Sequence, residues 1–232
     1  MPRQAGVFLL GTSGIIPPNQ VEHMETACTI HEYKVLHPFA FRTHTHALGS
    51  PPALAHTGGS EGFAIGCRSR HNFPRNIGRR FLPYKAMNLF LGRVLGKCRV
   101  QPKPVARSLR QHPCKVVSGY VVRRSLNGDK WQLLGKKDPQ LPQMFYPVRD
   151  QSPISYGDVL AARCTMNNTL NYPVPIGATN KDEMCNFYLM YWVENDTPMA
   201  QKYCFSPGPP YYYWNYAPEN FNRIPDFEAS TL

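Results

Sequence analysis

Short stretches of alternating apolar and polar side chains recur along the chain, and turns rich in Pro, Gly and Asn separate them. Alternation with a period of two is typical of β-strands that bury one face. It predicts strands over residues 5–10, 26–33, 37–46, 115–124, 130–135, 144–148, 158–165 and 184–193. The Asn127-Gly128 pair between two of these stretches is a strong signal for a β-hairpin. About eight short strands with little helical periodicity predict an all-β fold, an antiparallel β-sandwich or jelly roll.

Length and composition agree with a packed β-domain of this kind. The chain has 232 residues, of which 42% are hydrophobic, and this is enough for a buried core. Proline occurs 23 times and aromatic residues make up 12%, which favours strands with long connections over helices. No run approaches the roughly 18 apolar residues of a membrane-spanning helix, so no membrane segment is expected.

The positive charge is confined to one part of the chain. Residues 50–114 contain 12 of the 26 Lys and Arg but a single acidic residue, Glu61, so they account for the whole net charge of +11. We expect this segment to be a basic insertion, either disordered or not native to the fold around it, because a long surface loop costs little closure entropy. An alternative is a loop that binds an acidic partner. Since the other residues are neutral overall, we expect no nucleic acid partner for the fold itself.

The seven cysteines divide in the same way. Those inside the basic segment are Cys67, Cys98 and Cys114, and those outside it are Cys28, Cys164, Cys185 and Cys204. The even number outside is compatible with two disulfides in an oxidising compartment. Glycosylation sequons at Asn167 and Asn195 weakly favour the secretory route. The N-terminus has no signal-peptide pattern, which suggests a fragment of a longer secreted protein.

Two of the predicted strands carry residues that suit a metal site. In the 37–46 strand, the period of two puts Arg42, His44 and His46 on one face. In the 184–193 strand, one face carries Met184, Asn186, Tyr188 and Met190. Two imidazoles and one thioether would suit copper that cycles through Cu(I), because soft sulfur stabilises the reduced ion and imidazole binds both oxidation states. A His-x-His pair is also compatible with two ordinary surface histidines, and a lone Met with core packing.

Several longer motifs resemble one family, in the same order. They are FAFRTHTHALG at 39–49, KVVSGY at 115–120, WQLLGKKDPQLPQMFYPV at 131–148, YGDVLAARC at 156–164 and GATNKDEMCNFYLMY at 177–191. On these residues the chain resembles the copper type II, ascorbate-dependent monooxygenases, and among them the C-terminal catalytic-copper domain of the peptidylglycine α-hydroxylating branch. The resemblance implies a β-sandwich domain formed by 1–49 and 115–205, interrupted by the basic insertion 50–114 and followed by an irregular tail at 206–232.

The resemblance also implies a role for each residue at a matching position. The family's copper ligands, two His and one Met, correspond to His44, His46 and Met184. Its substrate-binding residues correspond to Arg42, Asn186 and Tyr188, and Arg42 matches the residue that binds the substrate carboxylate. Its disulfides imply the pairs Cys164–Cys185 and Cys28–Cys204.

The activity that the resemblance implies is hydroxylation of the α-carbon of a C-terminal glycine in a peptide, the first step of peptide amidation. It uses copper, O₂ and ascorbate as reductant, in a secreted protein or in the lumen of secretory granules. The family has a second copper on an N-terminal domain that has no match here, so the activity of the isolated chain stays open. Two other functions remain: a non-catalytic secreted copper-binding β-sandwich, and a dopamine β-hydroxylase-like monooxygenase.

Overall fold

Eleven strands are the main secondary structure of the backbone that the computed structural model describes, which covers residues 2–46, 114–179 and 181–232. The strands are β1 Arg3–Thr12, β2 Ile15–Ile16, β3 Gln20–Thr29, β4 His37–His44, β5 Cys114–Arg123, β6 Lys130–Lys137, β7 Tyr146–Pro147, β8 Val159–Asn168, β9 Val174–Pro175, β10 Asn186–Glu194 and β11 Tyr203–Ser206. The helical elements are a 3-10 helix at Trp214–Tyr216 and helix α1 at Asp226–Ser230. Apart from Cys114, the predicted basic insertion lies outside the described residues.

Two large sheets enclose the core. One has five strands in the order β11-β1-β10-β4-β7, and the other has four in the order β3-β8-β5-β6. Neighbouring strands are antiparallel except β1 and β11, which are parallel. Side chains from both sheets are buried together, among them Phe8, Phe41, Val121, Leu160 and Phe187. The prediction of an antiparallel β-sandwich is therefore confirmed, with one parallel pair in addition.

Glycines in the four-stranded sheet make room for large rings from the other sheet. Phe41 of β4 and Phe187 of β10 stack with their ring centroids 5.4 Å apart. The ring of Phe41 lies against Gly135 and that of Phe187 against Gly119, so closely that a Cβ at either glycine would overlap the ring. These contacts fix the inward faces of β4 and β10 and leave the alternate side chains of both strands pointing outward.

Strand β3 begins earlier than the pattern predicts. The predicted range is 26–33, whereas the strand spans Gln20–Thr29. Its first half is polar in sequence, yet Glu25 is buried because its carboxylate pairs with Arg163 of β8. A buried ion pair conceals the apolar alternation by which a strand is recognised.

Strand β10 begins later than predicted, and β11 was not predicted at all. The range 184–193 was expected, but β10 starts at Asn186, so Met184 lies in the loop that precedes it. Strand β11 has only four residues, which is too short for a clear alternation. The predicted hairpin is confirmed between β5 and β6, where Gly128 has a positive φ of 100°.

Two disulfides cross-link the sandwich, in the pairing that the resemblance implies. Cys28–Cys204 joins β3 to β11, and Cys164–Cys185 joins β8 to the residue immediately before β10. Each bond connects one large sheet to the other. Cys114 is a buried free thiol.

Most of the C-terminal segment, residues 212–230, packs on the outward face of the four-stranded sheet. Trp214 is fully buried there, and its ring lies 4.8 Å from that of Trp131, measured between centroids. Ala229 of α1 is also fully buried. This segment therefore contains two short helical elements and contributes to a second apolar cluster. No helix among the described residues is long and apolar enough to cross a bilayer.

Candidate metal centre

The end of β4 brings two histidines together on the outward face of the five-stranded sheet. His44 is the last residue of β4, and His46 lies two residues further on. Their rings are perpendicular, at an interplanar angle of 86°, with centroids 5.3 Å apart. Both side chains are partly exposed. This arrangement lets both imidazoles reach one ion from the same side.

Gln143 fixes which nitrogen of His44 carries the proton. The amide Nε2 of Gln143 donates to the backbone oxygens of Thr45 and Pro139, at 3.0 and 3.3 Å. The opposite end of the amide, Oε1, lies 2.6 Å from Nδ1 of His44 and can only accept. Nδ1 of His44 is therefore the protonated nitrogen, and Nε2 keeps a lone pair for a metal.

His46 is oriented in the same way by the loop that leads to β10. Its Nδ1 donates to the backbone oxygen of Asp182 at 3.2 Å, so its Nε2 also keeps a lone pair. The same loop holds the backbone of His46 through Glu183, whose Oε1 accepts from the N–H of His46. That oxygen also accepts from the N–H of Met184 at 2.9 Å. One buried carboxylate thus holds His46 and Met184 side by side.

The thioether of Met184 lies on the histidine side of the sheet. The Nδ2 atom of Asn186 donates to its sulfur at 3.7 Å. Asn186 is in turn the direct cross-strand neighbour of His44. The next residue along the chain, Cys185, is tied to β8 by its disulfide, and this restrains the loop that carries Met184. The structure therefore brings His44, His46 and Met184 to one place.

The electrostatics favour a neutral imidazole at His44. Burial lowers the pKa of His44, and the positive charge of Arg42 lowers it further, against the opposing effect of the hydrogen bond that Nδ1 donates to Gln143. A histidine must be neutral to bind a metal. Among the described residues, no group of three or more His, Cys, Asp or Glu could hold a metal ion. The sulfur atom beside the two histidines is the thioether of Met184.

Arg42 supplies a cationic group next to the histidines. It faces Tyr188 of β10 across the sheet, with the guanidinium carbon 5.7 Å from the ring centroid. Its Nε–H is buried and has no hydrogen-bond partner among the described residues. Within the same part of the chain, Arg42 forms no salt bridge. A buried guanidinium N–H without an acceptor is well suited to bind an anionic ligand.

Two imidazoles with free Nε2 atoms and one thioether are the donors that suit copper in both of its oxidation states. The family model of the copper type II ascorbate-dependent monooxygenases, C-terminal domain, matches residues 3–63 and 103–217. The chain belongs to this family. The match confirms the resemblance found in the sequence, and it leaves residues 64–102 outside the family model.

Individual relatives agree with the family assignment. The chain is 43% identical over 115 residues to peptidylglycine alpha-amidating monooxygenase of Rattus norvegicus, which is 49% of this chain and 11% of that protein. It is 29% identical over 217 residues to peptidyl-glycine alpha-amidating monooxygenase B of Xenopus laevis, which is 92% of this chain and 17% of that protein. The chain thus spans less than a fifth of the length of these curated relatives.

Three residues that support the site were missed by sequence reasoning. Gln143 and the pair Asp182 and Glu183 lie inside the quoted motifs, but no pattern assigned them a role. Each acts through a hydrogen bond between loops that are far apart in sequence, since Gln143 is 99 residues from His44 and Glu183 is 137 residues from His46. Their position beside motif residues was the only available signal.

Proposed function

We propose that this chain supplies the catalytic-copper half of a monooxygenase that hydroxylates the α-carbon of a C-terminal glycine in peptides. The observation that carries the proposal is the orientation of His44 and His46. Both donate Nδ1–H to the protein and leave Nε2 free, next to the sulfur of Met184 and the unpaired Nε–H of Arg42. The names of the relatives support the same activity.

The copper ligands in this proposal are His44, His46 and Met184. When bound there, copper would supply the redox chemistry that activates O₂. Gln143 and the backbone of Asp182 orient the two rings and raise their basicity. Glu183 fixes the spacing between the backbones of His46 and Met184.

The peptide carboxylate would bind to Arg42. The guanidinium offers its unpaired Nε–H, and a planar fork matches a carboxylate better than an ammonium does. Tyr188 packs beside the guanidinium, and Asn186 lies between Tyr188 and the copper ligands along β10. Its amide can hydrogen-bond the peptide group that precedes the glycine. These contacts would hold the glycine α-carbon next to the metal ligands.

Two further features of the proposal concern partners and location. One copper site in this chain delivers one electron at a time, so hydroxylation needs a second copper on another domain, with ascorbate as the reductant. The two disulfides support an oxidising compartment, and hence secretion or a granule lumen. The two sequons make the chain a candidate glycoprotein in that compartment.

Copper binding tests the ligand set. The unmodified chain should bind about one equivalent of Cu(I), and His44→Ala, His46→Ala and Met184→Ala should each weaken that binding, since each removes one of three donors. His37→Ala is the matched control, because His37 lies on the same strand but stacks on Trp192 away from the site. If all four variants bind Cu(I) with equal affinity, the ligand assignment is wrong.

Ligand binding and turnover separate the alternatives. A glycine-extended peptide should need both its carboxylate and Arg42, whereas a dopamine β-hydroxylase-like enzyme would bind a phenethylamine that has no carboxylate for Arg42. A non-catalytic copper-binding sandwich would bind copper but give no product even with a cognate N-terminal copper domain added. Product formation in that mixture, lost in Arg42→Ala, would support the proposal.

A further inference from the structure

A cleft with a volume of about 410 Å³ opens at the edge of the sandwich, between β6 and β7. Each of these strands is the last one of its sheet, so no further described strand of either sheet covers the cleft. Three cationic side chains line it, those of Lys136, Lys137 and Arg149, and the described residues contribute no acidic side chain to the lining. None of the candidate metal ligands lines it. The cleft is therefore a separate, positively charged feature of the fold.

The three cations of the cleft have no acidic partners in the part of the chain that the structure describes. None of them forms a salt bridge within those ranges. The acidic residues next to them in sequence are Asp138 and Asp150, and each is bound by its own turn. Oδ1 of Asp138 accepts from the backbone N–H of Gln140 at 2.8 Å, and Oδ1 of Asp150 accepts from the backbone N–H of Ser152 at 2.8 Å. The cleft therefore keeps an excess of positive charge that a ligand can neutralise.

Two of the cations are held where a ligand in the cleft can reach them. Nζ of Lys137 lies 4.3 Å from the centroid of the Tyr146 ring, which keeps the ammonium over β7. The backbone N–H of Arg149 donates to a carbonyl oxygen of β6 at 2.8 Å, and this fastens the segment that follows β7 to the edge strand. Lys136 is already engaged, since its Nζ donates to the backbone oxygen of Glu228 at 2.9 Å. Lys137 and Arg149 thus offer an ammonium and a guanidinium to one ligand.

The uncharged part of the lining indicates what else the ligand must carry. Leu133, Pro147 and the ring of Tyr146 contribute apolar surface to the cleft. A bare ion would leave this surface in water, whereas a ligand with a ring attached to its anionic group would bury it. A phosphate monoester has about two negative charges at pH 7 together with several acceptor oxygens. It therefore matches both an ammonium and a planar guanidinium.

We propose that this cleft is a second ligand site of the protein, and that it binds a small phosphate monoester with an aromatic or other apolar body. Lys137 and Arg149 bind the phosphate oxygens, and Leu133, Pro147 and Tyr146 contact the apolar body. The inference does not depend on the proposed function, because it uses none of the residues of the candidate metal centre.

Calorimetric titration of the copper-free full chain with phenyl phosphate at low ionic strength tests the ligand class. Phenyl phosphate should bind about tenfold more tightly than methyl phosphate, because the phenyl ring buries the apolar lining. It should also bind more tightly than phenyl sulfate, which has the same ring but a single negative charge. Added salt should weaken the binding, since the cleft is open to solvent.

Substitutions in the cleft test the two cations. Lys137→Gln and Arg149→Gln should each weaken the binding of phenyl phosphate by about tenfold, because each removes a hydrogen bond from a charged donor. Lys137→Arg keeps the charge and should bind more tightly than Lys137→Gln. Lys130→Gln is the matched control: it removes the same charge from an exposed position of β6 outside the cleft, and should keep the affinity of the unmodified chain.

Several results would overturn the proposal. Phenyl phosphate that does not bind at millimolar concentration leaves the cleft without this ligand, and inorganic phosphate that binds as tightly makes it a site for an adventitious ion only. If Lys130→Gln loses as much affinity as the cleft variants, the effect belongs to the charge of the whole surface.

Arg42→Ala separates the cleft from the candidate metal centre, because Arg42 is the other cation that could bind a phosphate. This variant should leave the affinity for phenyl phosphate unchanged. If affinity falls in Arg42→Ala and not in Lys137→Gln or Arg149→Gln, the phosphate binds at the metal centre and the assignment to the cleft is wrong.

Discussion

The two large sheets of this protein present very different outward faces. On the four-stranded sheet, the C-terminal segment covers the outward side chains, and Trp214, Phe221 and Ala229 are buried in a second apolar cluster. On the five-stranded sheet, the outward side chains of Arg42, His44 and Tyr188 are partly exposed, and Phe205 is 52% exposed. One face thus adds stability, while the other keeps its donors and its apolar surface accessible to a ligand.

A buried ion cluster holds the covered face together. Nε of Arg163 donates to Glu25 at 2.6 Å, and Nη2 of Arg163 donates to Asp226 of the C-terminal helix, also at 2.6 Å. The guanidinium lies 4.6 Å from the centroid of Trp214, whose backbone N–H donates to the same Glu25. Arg163 therefore links two strands to the segment that covers them. Arg42 on the other face has no such partners among the described residues.

The largest effect is expected at this cluster. Arg163→Ala leaves the carboxylate of Glu25 buried without its cation and should lower the free energy of unfolding by about 3–5 kcal/mol. Urea denaturation measures the change. Arg3→Ala is the control, because the Arg3–Glu194 ion pair is exposed on the other sheet, and it should cost less than about 1 kcal/mol. If Arg163→Ala and Arg3→Ala lower the free energy of unfolding by similar amounts, the two faces do not differ in how much their ion pairs stabilise the fold.

Removal of either disulfide should destabilise the fold by about 2–5 kcal/mol, but only one of the two removals should change Cu(I) affinity. The Cys28–Cys204 bond closes a longer loop than Cys164–Cys185, with separations of 176 and 21 residues. Its Ser/Ser variant should therefore lose more stability. The Cys164→Ser/Cys185→Ser variant should also lose Cu(I) affinity, because Cys185 adjoins Met184. Unchanged copper affinity there would mean that the disulfide does not restrain the loop.

A smaller effect, confined to the metal, is expected at Gln143. Gln143→Ala removes the acceptor that fixes the ring of His44, and Cu(I) affinity should fall by about 10–100-fold with little change in unfolding. Gln140→Ala is the matched control, since Gln140 lies in the same loop but donates to the backbone oxygen of Cys114. Competition with a Cu(I) chelator measures the affinity of both variants. If both lose Cu(I) affinity, the effect comes from the whole loop and not from the Gln143 side chain.

The smallest effect on stability is expected at Phe205. Phe205→Ala removes a half-exposed ring and should cost only about 1 kcal/mol, as thermal or urea unfolding would show. The same substitution at Phe221, which is 8% exposed on the covered face, should cost about 3–5 kcal/mol. If the two variants are equally destabilised, then Phe205 is a structural residue, and the open face is packed more tightly than its exposure indicates.

The amino-acid pattern was sufficient for the fold class and for much of the site. A period of two put Arg42 beside His44 and Asn186 beside Tyr188, because strand geometry is local and depends on neighbouring residues only. It failed where local composition and burial disagree, as in the polar first half of β3, and where a strand is as short as β11. It also extended β10 to include Met184, which lies in a loop.

Long-range contacts decided what the pattern left open. The pairing of Asn186 with His44, and of Gly11 with Phe205, depends on strand register between segments far apart in sequence. The hydrogen bonds of Gln143 and Glu183 depend on where two loops meet. Local alternation can therefore tell which side chains share a face of a strand, whereas the packing of one strand against another decides which of them meet, since that choice is made by the whole core at once.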